Sequence, residues 1–369
     1  MLRQLIMAAA AVAGTAMPAH AGWQMAQSRH FIVYADSRPD EVKSFATQLE
    51  RFDKVVRVAL KLPDPAIGLS GRVTIFMLPS LDEVRRVSGA KSVTDIYRSQ
   101  SPAGAVAFFP RRSPNDQTRR TPSPLMVLQH DYAEQLLYST WGETQLPAWL
   151  NEGFADFFAT ARFRDDGGVI LGAIPEYRWD GVDLANVFPV ERLVRAAPDY
   201  RDREQAHVYA GRCWLLIHYM IFDPDRARQL DAYIAALKSG KPADAAARLM
   251  GVESGLDLKL NAYGVRPMWA SAALNAAQLP VGDVATRALS PGEAAVMPAL
   301  MRSRAGVDAA TAQGVAAQAR ALAQPYPADA GAQNELAAAE YDAGDYAASE
   351  AAADRALAAD PGSVEAMIH

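Results

Sequence analysis

Apolar residues recur along this chain with two periods. His30 to Ala35 (HFIVYA), Arg72 to Leu78 (RVTIFML) and Ala105 to Pro110 (AVAFFP) are short runs rich in β-branched and aromatic residues, and they predict three strands. Between the first two, Val42, Phe45, Leu49, Phe52, Val56 and Leu60 fall at helical spacing. They predict a helix over Pro39 to Leu62. Leu81 to Val87 predicts a shorter one. From Ser123 onward the helical period takes over. Ser123-Pro124 opens a helix to about Ser139, because serine caps well and proline fits the first helical position. Leu146-Pro147 opens another, through about Arg162, and Gly167-Gly168 marks a turn. Gln205 to Phe222, Arg226 to Ser239 and Pro242 to Met250 are further helices. Strands first and helices afterwards predict an α+β fold with a small N-terminal sheet.

The pattern changes near Leu289-Ser290-Pro291-Gly292, which reads as a linker. Beyond it alanine dominates. Ala330 to Gly362 follows the tetratricopeptide pattern, with Leu336-Ala337 in a first helix, Gly344-Asp345-Tyr346 at the turn and Ala356-Leu357 in a second. Pro327 and Pro361 stand one 34-residue period apart. Leu336, Tyr346 and Leu357 take the positions that normally pack between the two helices. Residues 290–369 are therefore expected to be an all-α, repeat-like segment that serves protein contact, or else braces the first domain.

The N-terminus begins Met1-Leu2-Arg3-Gln4, continues with an apolar run from Leu5 to Met17, and ends in Ala19-His20-Ala21. This is the form of a secretory signal, too short to span a membrane. Cleavage after Ala21 and a periplasmic address are expected. The formal net charge is −5, and loss of Arg3 makes the mature chain more acidic, which argues against nucleic acid as a partner. A lone cysteine, Cys213, excludes an internal disulfide and reads as a core thiol. Arg111, Arg112, Arg119 and Arg120 cluster in one loop and read as a solvated surface, the alternative being a role in binding an acidic substrate.

The chemistry lies on the two helices after the sheet. His130 and Glu134 are one turn apart on one face, with Asp131 beside them, while Leu125, Leu128, Tyr132 and Leu136 take the other side. His130-Asp131-Tyr132-Ala133-Glu134 has the frame of H-E-x-x-H, with two residues changed. On a mostly apolar helix, buried carboxylates need partners or a cation. A zinc hydrolase needs three protein ligands, an open position and a carboxylate to take a proton from water. Glu152 on the next helix is the candidate third ligand. Asp156, one turn further on, is the candidate partner for the other nitrogen of His130. Two later histidines, His207 and His218, could restore the missing imidazole. The alternative makes His207 a surface residue and His218 a core residue. Tyr209 is either an oxyanion-stabilising group or plain packing.

The stretch VLQHDYAEQLLYSTWGETQLPAWLNEGFADFF, Val127 to Phe158, resembles the peptidase-MA-like gluzincins of bacteria, exported proteins of the DUF1570 kind. Their pattern is roughly HEYxHxL, a gap, then LPxWLxEGxAxxF. Leu146, Pro147, Trp149, Leu150, Glu152, Gly153, Ala155 and Phe158 match it, and the likeness extends from Trp23 to about Tyr263. The resemblance implies a zincin-like domain over about 22–270, with His130 at the first ligand position and Glu152 at the third. It sets Asp131 at the general-base position and Glu134 at the second ligand position. Asp131 is one methylene shorter than the family's glutamate. Glu134 adds negative charge where the family has an imidazole, which suits harder ions such as manganese better than zinc. The expectation is a metallopeptidase-like protein with weak or no peptidase activity, acting by binding protein or peptide through its cleft and tail. The alternative is an active metal-dependent hydrolase with His130, Glu134 and Glu152 as ligands.

Overall fold

The computed structural model describes residues 22–68, 71–92, 96–98, 104–112, 120–142, 146–183, 188–195, 199–252 and 255–368. The expected signal, residues 1–21, and Arg119 lie outside them. Strands and helices alternate first: β1 (Trp23–Gln27), β2 (Phe31–Asp36), α1 (Pro39–Leu60), β3 (Val73–Leu78), α2 (Leu81–Ser88), β4 (Tyr97–Arg98) and β5 (Val106–Pro110). Then follow α3 (Pro124–Trp141), α4 (Ala148–Ala159), β6 (Arg162–Phe163), β7 (Val169–Leu171), α5 (Trp179–Val182), α6 (Val190–Arg195), α7 (Arg203–Phe222), α8 (Pro224–Lys238), α9 (Ala243–Ala247) and α10 (Leu256–Gly264). The chain closes with β8 (Ala272–Leu274), β9 (Ala285–Ala288), α11 (Pro291–Ala305), α12 (Ala309–Ala323), α13 (Ala330–Asp342) and α14 (Tyr346–Ala359).

The main sheet has the order β4-β5-β3-β2-β1-β9. β2, β3 and β5 run parallel through the crossover helices α1 and α2, and antiparallel strands flank them on both sides. Period-two alternation divides its faces. Val33, Ile75 and Ala107 join Phe52 and Val56 of α1 and Leu128 and Tyr132 of α3 in the larger core. Phe76, Leu78, Val106 and Phe108 face the other way and pack with Val84 of α2 and Met297 and Met301 of α11. Central strands covered on both faces read as continuous apolar runs, which is why VTIFML shows no polar alternation.

That second face corrects the expected linker. β9 pairs with β1, and the Leu289 N–H donates to the Trp23 carbonyl at 2.9 Å. Ser290 caps α11: its hydroxyl accepts from the Glu293 N–H at 3.1 Å, while the Glu293 carboxylate accepts from the Ser290 N–H at 2.8 Å. This reciprocal box, with Pro291 at the first position, makes Ser290-Pro291-Gly292 a helix start. The alanines have a similar use in α11 to α14. Alanines, among them Ala316, Ala319, Ala337, Ala339, Ala352 and Ala356, form most of a separate core, since small side chains let helices approach closely. Tyr346, expected between two helices, is 65% exposed and rests on Tyr341. Among the described residues no helix is long and apolar enough to cross a membrane.

Candidate metal centre

Two helices bring the site together, and a third fixes their depth. α3 starts at Ser123, whose hydroxyl accepts from the Met126 N–H at 3.2 Å. α4 lies across α7 at Gly153, where an added Cβ would sit 2.5 Å from Ile217 and 2.8 Å from the Cys213 carbonyl. Only glycine permits that approach, and it sets the position of Glu152 beside it. The Gly167-Gly168 turn joins β6 to β7, with Gly167 at φ +82°, a left-handed value that favours glycine.

His130, Glu134 and Glu152 converge: one ligand atom from each lies within 4.8 Å of the other two. His130 Nδ1–H donates to Asp156 Oδ1 at 2.9 Å, which fixes the tautomer and leaves Nε2 as the free donor atom. Nε2 stands 3.8 Å from Glu134 Oε1 and 3.9 Å from Glu152 Oε2, beyond hydrogen-bond length. Asp156 is fully buried. Besides His130 it takes the Tyr177 hydroxyl at 2.9 Å and Arg178 Nε at 2.9 Å. Asn151 Nδ2 donates to Glu134 Oε1 at 2.6 Å.

The charges are out of balance. Burial works against ionised Asp156, but Arg178 and His130 outweigh it and hold the carboxyl at about 2. Burial lifts Glu134 to about 7 and Asp131 to about 6, and raises Glu152 as well. Burial also works against protonated His130, yet Asp156, Glu134 and Glu152 together push it up to about 10. Arg178 Nε is paired with Asp156, so a proton on His130 is what offsets the remaining acids. A divalent cation does the same with more charge. One imidazole and two carboxylates around one point, with the imidazole oriented from behind by a carboxylate, are a donor set that fits zinc or a harder ion such as manganese.

The other expected residues fall in different places. Asp131, beside these ligands, has no hydrogen bond or ion pair among the described residues. Tyr209 is buried against Phe188, its hydroxyl donates to the Leu193 carbonyl at 3.3 Å, and Glu152 acts on it electrostatically. His218 is likewise a core residue, accepting from the Tyr263 hydroxyl at 2.8 Å and facing the Gly172 and Ala270 carbonyls. Cys213 is buried. His207 sits three turns before His218, on the wall of a cleft that Glu152, Arg178, Tyr200 and Arg203 also line. Arg111 and Arg120 serve local contacts, to Ser37 and Asp180.

Tyr177, Arg178, Asn151 and Tyr200 were not anticipated. The signal for the first two was Asp156 itself, since a buried acid needs donors. Their approach depends on Gly181 and Gly211: a Cβ added to either would lie 2.8 Å from the other's Cα, and one on Gly211 would lie 2.4 Å from the Arg178 carbonyl. No family model matches this chain, and no curated protein matches it.

Proposed function

We propose that this chain is an exported, metallopeptidase-like protein whose His130, Glu134 and Glu152 hold one divalent cation, zinc or manganese, in a zincin-like setting. Its peptidase chemistry is weak or absent, and it acts by binding a protein or peptide in the adjacent cleft and along its repeat-like helical tail. The observation that carries the reading is the convergence of the three donors, with ligand atoms within 4.8 Å, on a histidine whose far nitrogen is held by Asp156. The motif resemblance over Val127 to Phe158 supports it independently.

When bound, such an ion polarises a carbonyl and acidifies water. The chain's own residues supply less than that chemistry needs. Two carboxylate ligands leave the centre with less net positive charge than two imidazoles would, and Asp131 has a shorter reach than glutamate at the base position. Glu134 is also held by Asn151. The cleft walls bind and orient a peptide; they do not replace the missing base.

One observation favours the alternative of an active hydrolase. Asp131 has no partner among the described residues and is therefore free to accept a proton. The test is metal analysis of purified mature protein together with a fluorogenic peptide assay, on the wild type and on the double variant Asp131→Glu with Glu134→His. The expected result is about one bound cation, no chelator-sensitive proteolysis by the wild type, and stronger zinc retention by the double variant. Robust chelator-sensitive proteolysis by the wild type, abolished by Asp131→Asn, would establish the alternative.

A further inference from the structure

We infer that the cleft beside Glu152 is built to take a carboxylate of a bound peptide, and that Arg203 and His207 are the residues that read it. The inference rests on the reading of this cleft as a peptide site. The cleft has a volume of about 220 Å³, below the roughly 300–1,000 Å³ of most small-molecule pockets. It suits a side chain or a chain end better than a whole cofactor. Its walls carry Arg178, Arg203, His207 and Tyr200, against one acid, Glu152. Four side chains able to donate hydrogen bonds, two of them guanidiniums, face a space whose only carboxylate belongs to the proposed metal site.

Arg178, Arg203 and His207 each keep donor capacity for a ligand. Arg178 uses Nε on Asp156 and keeps 22% of its side chain exposed, so the rest of its planar fork is available to the cleft. Arg203 has no hydrogen bond or ion pair among the described residues. It is the first residue of α7, where a cation stands against the helix dipole and costs stability. His207 is one turn further along the same face, 34% exposed, and at the limit of reach of Asp180, 4.0 Å away. That carboxylate is already taken by Arg120 at 2.9 Å. An unpaired cation that does not help its own helix, aimed into a cleft, points to an anionic ligand. The nearby Glu134 and Glu152 weigh against a dianion such as phosphate and leave a single carboxylate as the fitting group.

That carboxylate belongs either to an acidic side chain or to a peptide C-terminus, and one titration distinguishes them. Full-length mature protein, with its metal content measured on the same sample, is titrated with short fluorescent peptides. One pair has a central Glu or Gln with an amidated end; the other has a neutral sequence with a free or amidated end. One acid-bearing peptide is expected to bind about tenfold tighter than its neutral twin. In Arg203→Gln the advantage is expected to fall below about threefold, with a smaller loss in His207→Gln. A preference within the first pair identifies the side chain; one within the second pair identifies the chain end. Equal binding of all peptides, no binding, a preference that survives in both variants, or inorganic phosphate outcompeting the acidic peptide overturns the inference. Metal bound without preference defeats this inference alone; preference without metal defeats the metal reading alone. Both arginine and histidine positions are solvent-accessible, so the variants keep the fold, which circular dichroism checks.

Discussion

His30 with Glu50 and Asp53, and His130 with Glu134 and Glu152, form two groups in which the ligand atoms lie within 4.8 Å of one another. Their surroundings make them opposites. Glu50 accepts from the His30 N–H at 2.7 Å and from Nδ1 at 2.8 Å, and the other ring nitrogen meets Asp64 at 3.2 Å. Asp53 takes Arg57 Nε at 2.7 and 2.9 Å and the Tyr132 hydroxyl at 2.7 Å. Arg29 and Lys54 close the group around Asp64. Burial opposes ionised Glu50, but the bonds from His30 win and hold it below the usual range. Every acid there has its own donor, so a cation has nothing to gain. Around His130 the two glutamates are raised, and Nε2 bonds neither of them. Both groups bring histidine and acids together, but around His130 the acids are short of charged donors, Glu134 having only the neutral Asn151 amide, and that imbalance is why we propose the cation there.

The comparison breaks most visibly if the closed cluster is opened. Asp53→Ala leaves buried Arg57 and the Tyr132 hydroxyl without their partner. It is expected to cost about 3–5 kcal/mol in urea unfolding. A loss below about 1 kcal/mol would mean that the His30 network does not hold the sheet to α1.

A third histidine sharpens the contrast by having no acid at all. Burial pushes His218 down to about 4, with only the Gly172 and Ala270 carbonyls working the other way. Below its unfolded value of about 6.5 the unfolded chain binds more protons, so stability is lost as pH falls from about 6.5 toward 4. The loss amounts to about 3 kcal/mol. His218→Gln can keep the hydrogen bonds but cannot titrate. Its urea unfolding should be less steeply pH-dependent over that window, and an unchanged slope would contradict the assignment.

Smaller effects follow at the open cluster. Gly153→Ala forces α4 away from α7 and is expected to cost about 1–3 kcal/mol. It should weaken metal retention as well, because Glu152 moves with the helix; normal stability with normal retention would refute the argument from close approach. Glu134→Gln removes an uncompensated acid, so metal-free protein should gain about 1 kcal/mol in thermal unfolding while losing metal affinity. A loss of stability instead would show that Glu134 is as well satisfied as Glu50.

Much of this was legible in the chain, for physical reasons. His130 and Glu134 are one turn apart on one helix, and Glu152 and Asp156 one turn apart on the next, so spacing puts each pair on one face; that the two faces meet was legible only through the motif resemblance. The strands were legible because β2, β3 and β5 are dense in β-branched and aromatic residues. The clamp on Asp156 was not, because Tyr177 and Arg178 sit in a non-periodic segment held by the Gly181–Gly211 contact. The His30 network was hidden too, since it depends on how β2 meets α1 and on a loop that reaches Asp64. Ser290-Pro291-Gly292 was ambiguous in kind: the same residues mark a linker or a capped helix, and only the apolar face of α11 against Phe76 and Phe108 decides.

We propose that the His130 cluster, and not the His30 cluster, takes a cation. Calorimetric titration of manganese and of zinc into chelator-treated protein tests it most directly. About one equivalent is expected to bind with release of a proton, lost in Glu152→Gln and accompanied by a rise in unfolding temperature only where binding occurs. No binding by the wild type, or binding that Glu152→Gln leaves untouched, would contradict it.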